Sequence, residues 1–223
     1  MTFSLIARCV KTGQFGMVIS SSSPAVAARC AHVRAGVGAV ASQNITDPGL
    51  GLELLDLMAR GNSAGEALAA VRAGRPHIDY RQLLVVDAAG ACAIHSGAQV
   101  LGIWGEACGQ DCAAGGNLLA NSTVPQAMIA GFEATSGHLG NRLMAALHAG
   151  LAAGGEAGPV HSAGLKIADT QDWPLVDLRV DWSDDPITAL AQAWDIYRPQ
   201  MAAYVQRAIN PSIAPSYGVP GDE

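Results

Sequence analysis

The feature that most constrains this chain is the order of its periodicities. Pairs of strand-like apolar runs alternate with pairs of helix-like segments, without a strand–helix–strand rhythm. Residues 3–8 and 15–20 are apolar and joined through Lys11-Thr12-Gly13-Gln14, a turn whose glycine can take positive φ, which predicts an N-terminal hairpin. The small apolar run Gly36–Ala41 reads as a strand entering a polar loop, Ser42–Pro48. Leu50, Leu54, Leu57 and Met58 then recur at helical spacing up to Gly61, and Ser63 with Glu66 forms a capping-box pattern that opens a second helix. Leu83–Val86 and Ala91–Ile94 flank a turn at Ala89-Gly90 and predict a second hairpin.

The theme then repeats. Two helices are expected over 124–134 and around Leu139, Leu143 and Leu147, followed by strands at Val160–Ala168 and Val176–Val180, the latter alternating apolar with charged residues. Asp185-Pro186 opens a last helix whose apolar face is Ile187, Leu190, Trp194 and Tyr197. This order predicts an α+β chain of antiparallel sheets with helices on their outer faces. One domain is expected over 1–207, with a tail at 208–223 that is rich in proline and glycine.

Composition narrows the function classes. Half of the 223 residues are hydrophobic and 14% are charged, enough for a chain of this size to bury roughly 70% of its unfolded surface. A net charge of -6 without any lysine or arginine cluster removes the attraction that dominates affinity for nucleic acid or anionic lipid, so neither partner is expected. Met1–Val10 lacks the basic start of a secretion signal, and no segment approaches the roughly 20 apolar residues of a membrane span, so a cytoplasmic location is expected. Five cysteines, an odd number, argue against a disulfide framework. Cys108 and Cys112 have ligand-like spacing but no second Cys or His pair to complete a zinc site, so no metal is expected.

The chain contains no phosphate loop, no Gly-x-Ser-x-Gly elbow and no His-Glu-x-x-His. Its informative segment is Met1-Thr2-Phe3-Ser4. A small second residue permits removal of Met1, which would leave the Thr2 hydroxyl beside a free α-amino group. With a pKa of about 7.7–8.0, that amine is neutral often enough near neutral pH to act as a base. One residue can then supply both nucleophile and base. Many cytoplasmic proteins also begin Met-Thr without using it.

Several ordered blocks carry a resemblance: Met-Thr-Phe-Ser at the start, Ala35-Gly36-Val37-Gly38-Ala39-Val40-Ala41-Ser42-Gln43, Tyr80-Arg81-Gln82, Gly116-Asn117-Leu118-Leu119-Ala120 and Val176-Asp177-Leu178-Arg179-Val180-Asp181. Up to about Tyr197 the chain resembles an uncharacterised prokaryotic family placed in the N-terminal-nucleophile (Ntn) hydrolase superfamily. The resemblance implies a four-layer αββα sandwich with Thr2 at the mouth of a cleft between the sheets, and Thr2 as nucleophile. Gly116 and Asn117 then follow a strand, where the asparagine side chain or an adjacent amide is placed to donate to a developing oxyanion; the alternative is an asparagine that bonds its own turn. Gln43, Asn44, Arg81 and His95 are candidate pocket residues. Arg81 is suited to a two-pronged contact with a substrate carboxylate, or to an ion pair with Asp177 or Asp181.

The resembling family often carries a lysine where this chain reads Ser20-Ser21-Ser22-Ser23-Pro24. Here the hydroxyl cluster, Ser22 within it, is expected to bind a polar substrate instead. The leading expectation is an amidohydrolase acting on a small polar metabolite without a cofactor. The alternatives are a non-catalytic binder that keeps the fold and a transferase using the same nucleophile. A homodimer or larger assembly is expected, with the apolar tail Ile213–Val219 docking on a neighbouring subunit.

Overall fold

The computed structural model describes residues 1–222; the last residue of the tail, Glu223, lies outside the described residues. In chain order the elements are β1 (Thr2–Arg8), β2 (Phe15–Ser21), α1 (Val26–Cys30), β3 (Ala31–Arg34), β4 (Gly38–Asn44), α2 (Pro48–Ala59), α3 (Ala64–Arg72), β5 (Arg81–Asp87), β6 (Cys92–Ser96), β7 (Gly105–Gly109), β8 (Cys112–Asn117), α4 (Val124–Ala134), α5 (Leu139–Ala152), β9 (Ser162–Ala168), β10 (Val176–Val180), α6 (Pro186–Tyr197) and α7 (Met201–Ile209). The strands form a six-stranded sheet in the order β10-β9-β2-β1-β8-β7 and a four-stranded sheet in the order β3-β4-β5-β6. Every pairing between these strands is antiparallel.

Period-two alternation sorts the strand side chains between two faces of each sheet. Phe3, Leu5, Val18, Cys112 and Leu165 pack with Met128, Phe132, Leu143, Leu147, Leu190 and Trp194, so α4, α5 and α6 cover one face of the larger sheet. Its other face gives Ile6, Met17, Ile19 and Ala113 to a shared core with Ala39, Ala41, Leu84 and Val86 of the smaller sheet. Val40, Leu83 and Val85 point the opposite way and pack under Leu50, Leu54, Leu68 and Val71 of α2 and α3. Each such leucine removed from water contributes about 1.5–3 kcal/mol, and the alternation is therefore what holds both sheets in register.

The local signals behave as physical chemistry requires. Asp47 caps α2 by accepting from Gly49 N, and Ser63 and Glu66 form the reciprocal capping box of α3. His138 caps α5, its Nδ1 accepting from Gly140 N at 3.0 Å. Several elements differ from the sequence reading: β7 and α7 were not expected, and Gly116 and Asn117 end β8 rather than follow a strand. Ser42-Gln43-Asn44 is strand rather than loop, because its backbone keeps pairing with Leu83, Gln82 and Arg81. Alternation had also left α1 and β3 unseen. They are too short to show a period, and α1 lies flat on β9, where Gly164 leaves no room for a side chain: a Cβ there would meet Ala27 Cβ at 2.3 Å.

The tail folds back on its own chain. Tyr217 lies beside Tyr204, with ring centroids 6.2 Å apart, and the Arg207 guanidinium sits 3.6 Å over the Tyr217 ring. Among the described residues no helix is long and apolar enough to cross a membrane, and the five cysteines are free thiols.

Candidate active site

The larger sheet places three polar side chains in one row. β1 runs between β2 and β8, with Thr2 paired to Asn117 and Phe3 to Ser20. Ser21 is the next residue out on β2, and the Thr2 and Ser21 hydroxyl oxygens lie 3.4 Å apart. Alternation fixes the face: Thr2 shares it with Ser4 and Ile6, Ser21 with Ile19, and Asn117 with Ala113, so all three turn toward the smaller sheet. Thr2, Ser21 and Asn117 are all buried.

Over the Thr2–Ser21 half of this row lies a carbonyl. The Met1 carbonyl oxygen accepts from both Thr2 Oγ1 and Ser21 Oγ. Ser21 Oγ is 2.9 Å from Ser23 Oγ, and Arg29 Nη2 donates to Ser23 Oγ at 3.0 Å. A guanidinium only donates, so Ser23 accepts from Arg29 and passes its own hydrogen to Ser21, which leaves the Ser21 hydrogen for the carbonyl. Positive charge thus reaches the carbonyl oxygen through two hydroxyls. The serine segment that lacks a lysine has an arginine behind it.

Beyond Ser21, the Ser22 amide donates to both carboxylate oxygens of Glu156 at 3.1 Å. Glu156 is 5% exposed and forms an isolated bridge with Leu119, just past the end of β8. Burial pushes its carboxyl up to about 7, against the opposing pull of the chain's N-terminal amine and of the Ser22 hydrogen bonds.

Beneath the row, a buried amide network sets the orientation of Asn117. Gln82 Nε2 shares its two hydrogens among the carbonyls of Gly116 (3.2 Å) and Gly105 (3.4 Å) and Ser96 Oγ (3.0 Å). Those backbone carbonyls only accept, so Gln82 must present Oε1 on its other side. There it accepts from Gln43 Nε2 at 2.9 Å and from Asn117 Nδ2 at 3.3 Å. Gln43 Oε1 in turn accepts from Ser4 Oγ at 2.7 Å. Asn117 is therefore held with its amide nitrogen toward Gln82 and its carbonyl oxygen free; that buried Oδ1 has no hydrogen-bond partner among the described residues. Gln82→Leu would leave Gln43, Asn117 and two backbone carbonyls without their partner. A loss of roughly 3 kcal/mol or more is expected in urea unfolding. A loss under about 1 kcal/mol would show that the network does not act as a unit.

The sequence-derived candidates divide by face. Thr2, Asn117 and Gln43 meet at the inter-sheet end. Gly116 lies beneath: a Cβ there would meet Leu119 Cδ2 at 2.6 Å and the Thr2 carbonyl oxygen at 3.0 Å. Ser22 contributes its amide, to Glu156. Asn44, Arg81 and His95 stand in the other alternation, with Val40, Leu83 and Val85, on the helix side of the smaller sheet. There Arg81 donates to the Ile45 carbonyl, Asn44 Nδ2 donates to the Tyr80 carbonyl at 2.6 Å, and His95 Nε2 lies 3.1 Å from the Ile78 carbonyl. The ion pair considered for Arg81 goes elsewhere, since Asp177 pairs with Lys166 at 3.4 Å and Arg179 at 3.5 Å.

The sequence reading missed Arg29, Gln82, Ser96 and Glu156, and it held Ser21 and Ser23 only as members of the hydroxyl cluster. Gln82 carried a usable signal, because period two puts it with Leu84 and Val86 and sets Arg81 on the other face. Glu156 carried none, lying in the aperiodic stretch Gly154–Gly158. A separate cavity of about 560 Å³ opens at the far end of β1, lined by Arg8, Cys9, Lys11, Asp111, Glu133 and Arg142 among others, away from Thr2.

Comparison with known proteins adds a family and a close fold relative. The crystal structure of protein SPO2555 from Silicibacter pomeroyi, a chain described with the family DUF1028, superposes with a TM-score of 0.86 at 29% identity over 92% of this chain and 90% of that one. Anbu (ancestral beta-subunit) from Yersinia bercovieri aligns over 91% of this chain and 97% of that one, at 11% identity with a TM-score of only 0.39, too slight a likeness to support an argument. No curated protein matches the sequence. The family of unknown function DUF1028 matches residues 2–190, and the chain belongs to that family.

Proposed function

We propose that the chain is an N-terminal-nucleophile hydrolase, built as the four-layer αββα sandwich of that class, that cleaves an amide-like C–N bond in a small polar metabolite once Met1 has been removed. The observation that carries this reading is the carbonyl oxygen shared by the Thr2 and Ser21 hydroxyls at the buried end of β1. It supports a substrate carbonyl oxygen seated at the same point, beside the Thr2 hydroxyl and on the charge-supported hydrogen bond from Ser21.

In the reaction, Thr2 Oγ1 attacks the substrate carbonyl and the Thr2 α-amine takes the hydroxyl proton. Ser21, backed by Ser23 and Arg29, donates to the oxyanion. The α-ammonium then returns the proton to the leaving nitrogen as the C–N bond breaks, and water cleaves the acyl–threonine ester. Glu156, whose carboxyl burial raises to about 7 with Met1 in place, accepts from the Ser22 amide beside this row. No cofactor enters these steps.

The test is intact mass with N-terminal sequencing of protein from its native host, followed by incubation with a panel of small amides, ureides and lactams. A terminus at Thr2 and an acyl adduct on that residue are expected. A terminus at Met1 would sink the reading and favour a binder, because the Met1 carbonyl then permanently fills the place described above.

A further inference from the structure

The row Ser21–Thr2–Asn117 has opposite hydrogen-bonding character at its two ends. Ser21 offers a hydroxyl hydrogen, and it already gives one to a carbonyl. Asn117 offers only a carbonyl oxygen, because the Gln82 network consumes its amide nitrogen, and that oxygen is buried without a partner among the described residues. A buried acceptor left unsatisfied is costly, so a ligand that seats well must bring it a hydrogen.

We propose that Asn117 is the specificity element of this site: its carbonyl accepts an N–H from the nitrogen of the scissile bond, so the site takes primary and secondary amides and ureides and refuses esters and tertiary amides. The inference rests on the hydrolase reading for the word scissile. The binding preference itself needs no turnover.

The dimensions agree. Neighbouring strands lie about 4.8 Å apart, so the backbones of β2 and β8, on either side of β1, are roughly 10 Å apart. An amide whose oxygen accepts from one side and whose nitrogen donates to the other spans about 8 Å between its two partners. Ser21 Oγ already lies 3.4 Å from Thr2 Oγ1, so an amide bridging Ser21 and Asn117 would have its carbonyl carbon over β1, where Thr2 stands. An ester of the same shape presents an oxygen to Asn117 Oδ1, two acceptors face to face. A tertiary amide presents a carbon substituent.

The experiment uses the full chain with a Thr2 terminus and four small probes of similar shape: acetamide, N-methylacetamide, N,N-dimethylacetamide and methyl acetate. Binding is read by NMR from the Asn117 side-chain amide resonances and from the backbone amides of β1 and β8. The first two probes are expected to bind at least about tenfold more tightly than the last two. Asn117→Leu should erase the difference. Asn117→Asp keeps the same acceptor when its carboxyl is protonated and donates to Gln82 Oε1, so at acidic pH it should retain the difference, which covers the case in which the leucine variant fails to fold.

Equal affinities for the four probes, no binding by any of them, or a preference that survives in a folded Asn117→Leu would overturn the proposal. So would an Asn117 resonance that follows the titration of the Thr2 α-amine without any amide preference, since the free oxygen would then belong to that amine. Failure of the hydrolase reading looks different: amides bind selectively, yet no acyl adduct forms on Thr2.

Discussion

Thr2→Ala is expected to lower turnover of any amide cleaved by the mature protein by on the order of 10³-fold or more, with the fold intact. Alanine is small enough to allow Met1 removal, so the α-amine stays in place and only the nucleophile disappears. Thr2 is the first residue of β1, whose backbone pairs on both sides. Those ladders do not depend on its side chain, and the lost methyl and hydroxyl should cost about 1–2 kcal/mol. Thr2→Ser restores a hydroxyl and should recover most of the rate. Measuring kcat and thermal unfolding on all three proteins separates chemistry from folding. An alanine variant within tenfold of wild type would move the nucleophile elsewhere.

Glu156→Gln is expected to stabilise the protein with Met1 in place, and to do so only above acidic pH. Burial raises the Glu156 carboxyl to about 7 from an ordinary value of 4.5. Below pH 4.5 the group is protonated in both states and costs nothing. As pH rises from there toward 7, the unfolded chain releases its proton while the folded chain holds it, so folding stability falls through this window. The total is about 3 kcal/mol. Glutamine keeps an oxygen for the Ser22 amide and has no proton to lose. At pH 8 its melting temperature should exceed that of wild type by roughly 6–12 °C, and near pH 4 the two should nearly coincide. Parallel pH profiles would show that Glu156 is not held in its neutral form.

The sequence made most strands and the longer helices legible because each has one buried face, and a buried face leaves a period. The face assignment was less accessible. Arg81 drew attention as a charged residue in a conspicuous block, but Gln82, one position on, is the residue that turns toward Thr2. Asn117 could be named as a candidate from the sequence, but the direction in which its amide points could not. The reading let its side chain or an adjacent amide donate to an oxyanion, or its side chain bond its own turn, whereas the structure gives its amide nitrogen to Gln82. That reversal is set by the carbonyls of Gly105 and Gly116, whose approach to Gln82 depends on strand pairing between distant parts of the chain. Glu156 and Arg29 escaped for the same reason, since neither has a sequence neighbour at the site that gives its position away. Ser63 and Glu66 were readable in full because their partnership is complete within one turn of chain.

The pairing of Thr2 with Asn117 also sets a clock. β1 and β2 are synthesised first and can close their hairpin at once, but β8 leaves the ribosome only after the whole smaller sheet and its two helices have been made. At about 5–20 residues per second, the first strand waits on the order of ten seconds for its second neighbour. During that interval the β8 side of the strand is open; afterwards Thr2 lies between two ladders with 5% of its surface exposed, while Met1 keeps 37%. The spacing of the two strands in the gene thus sets how long the first strand stays open on one side.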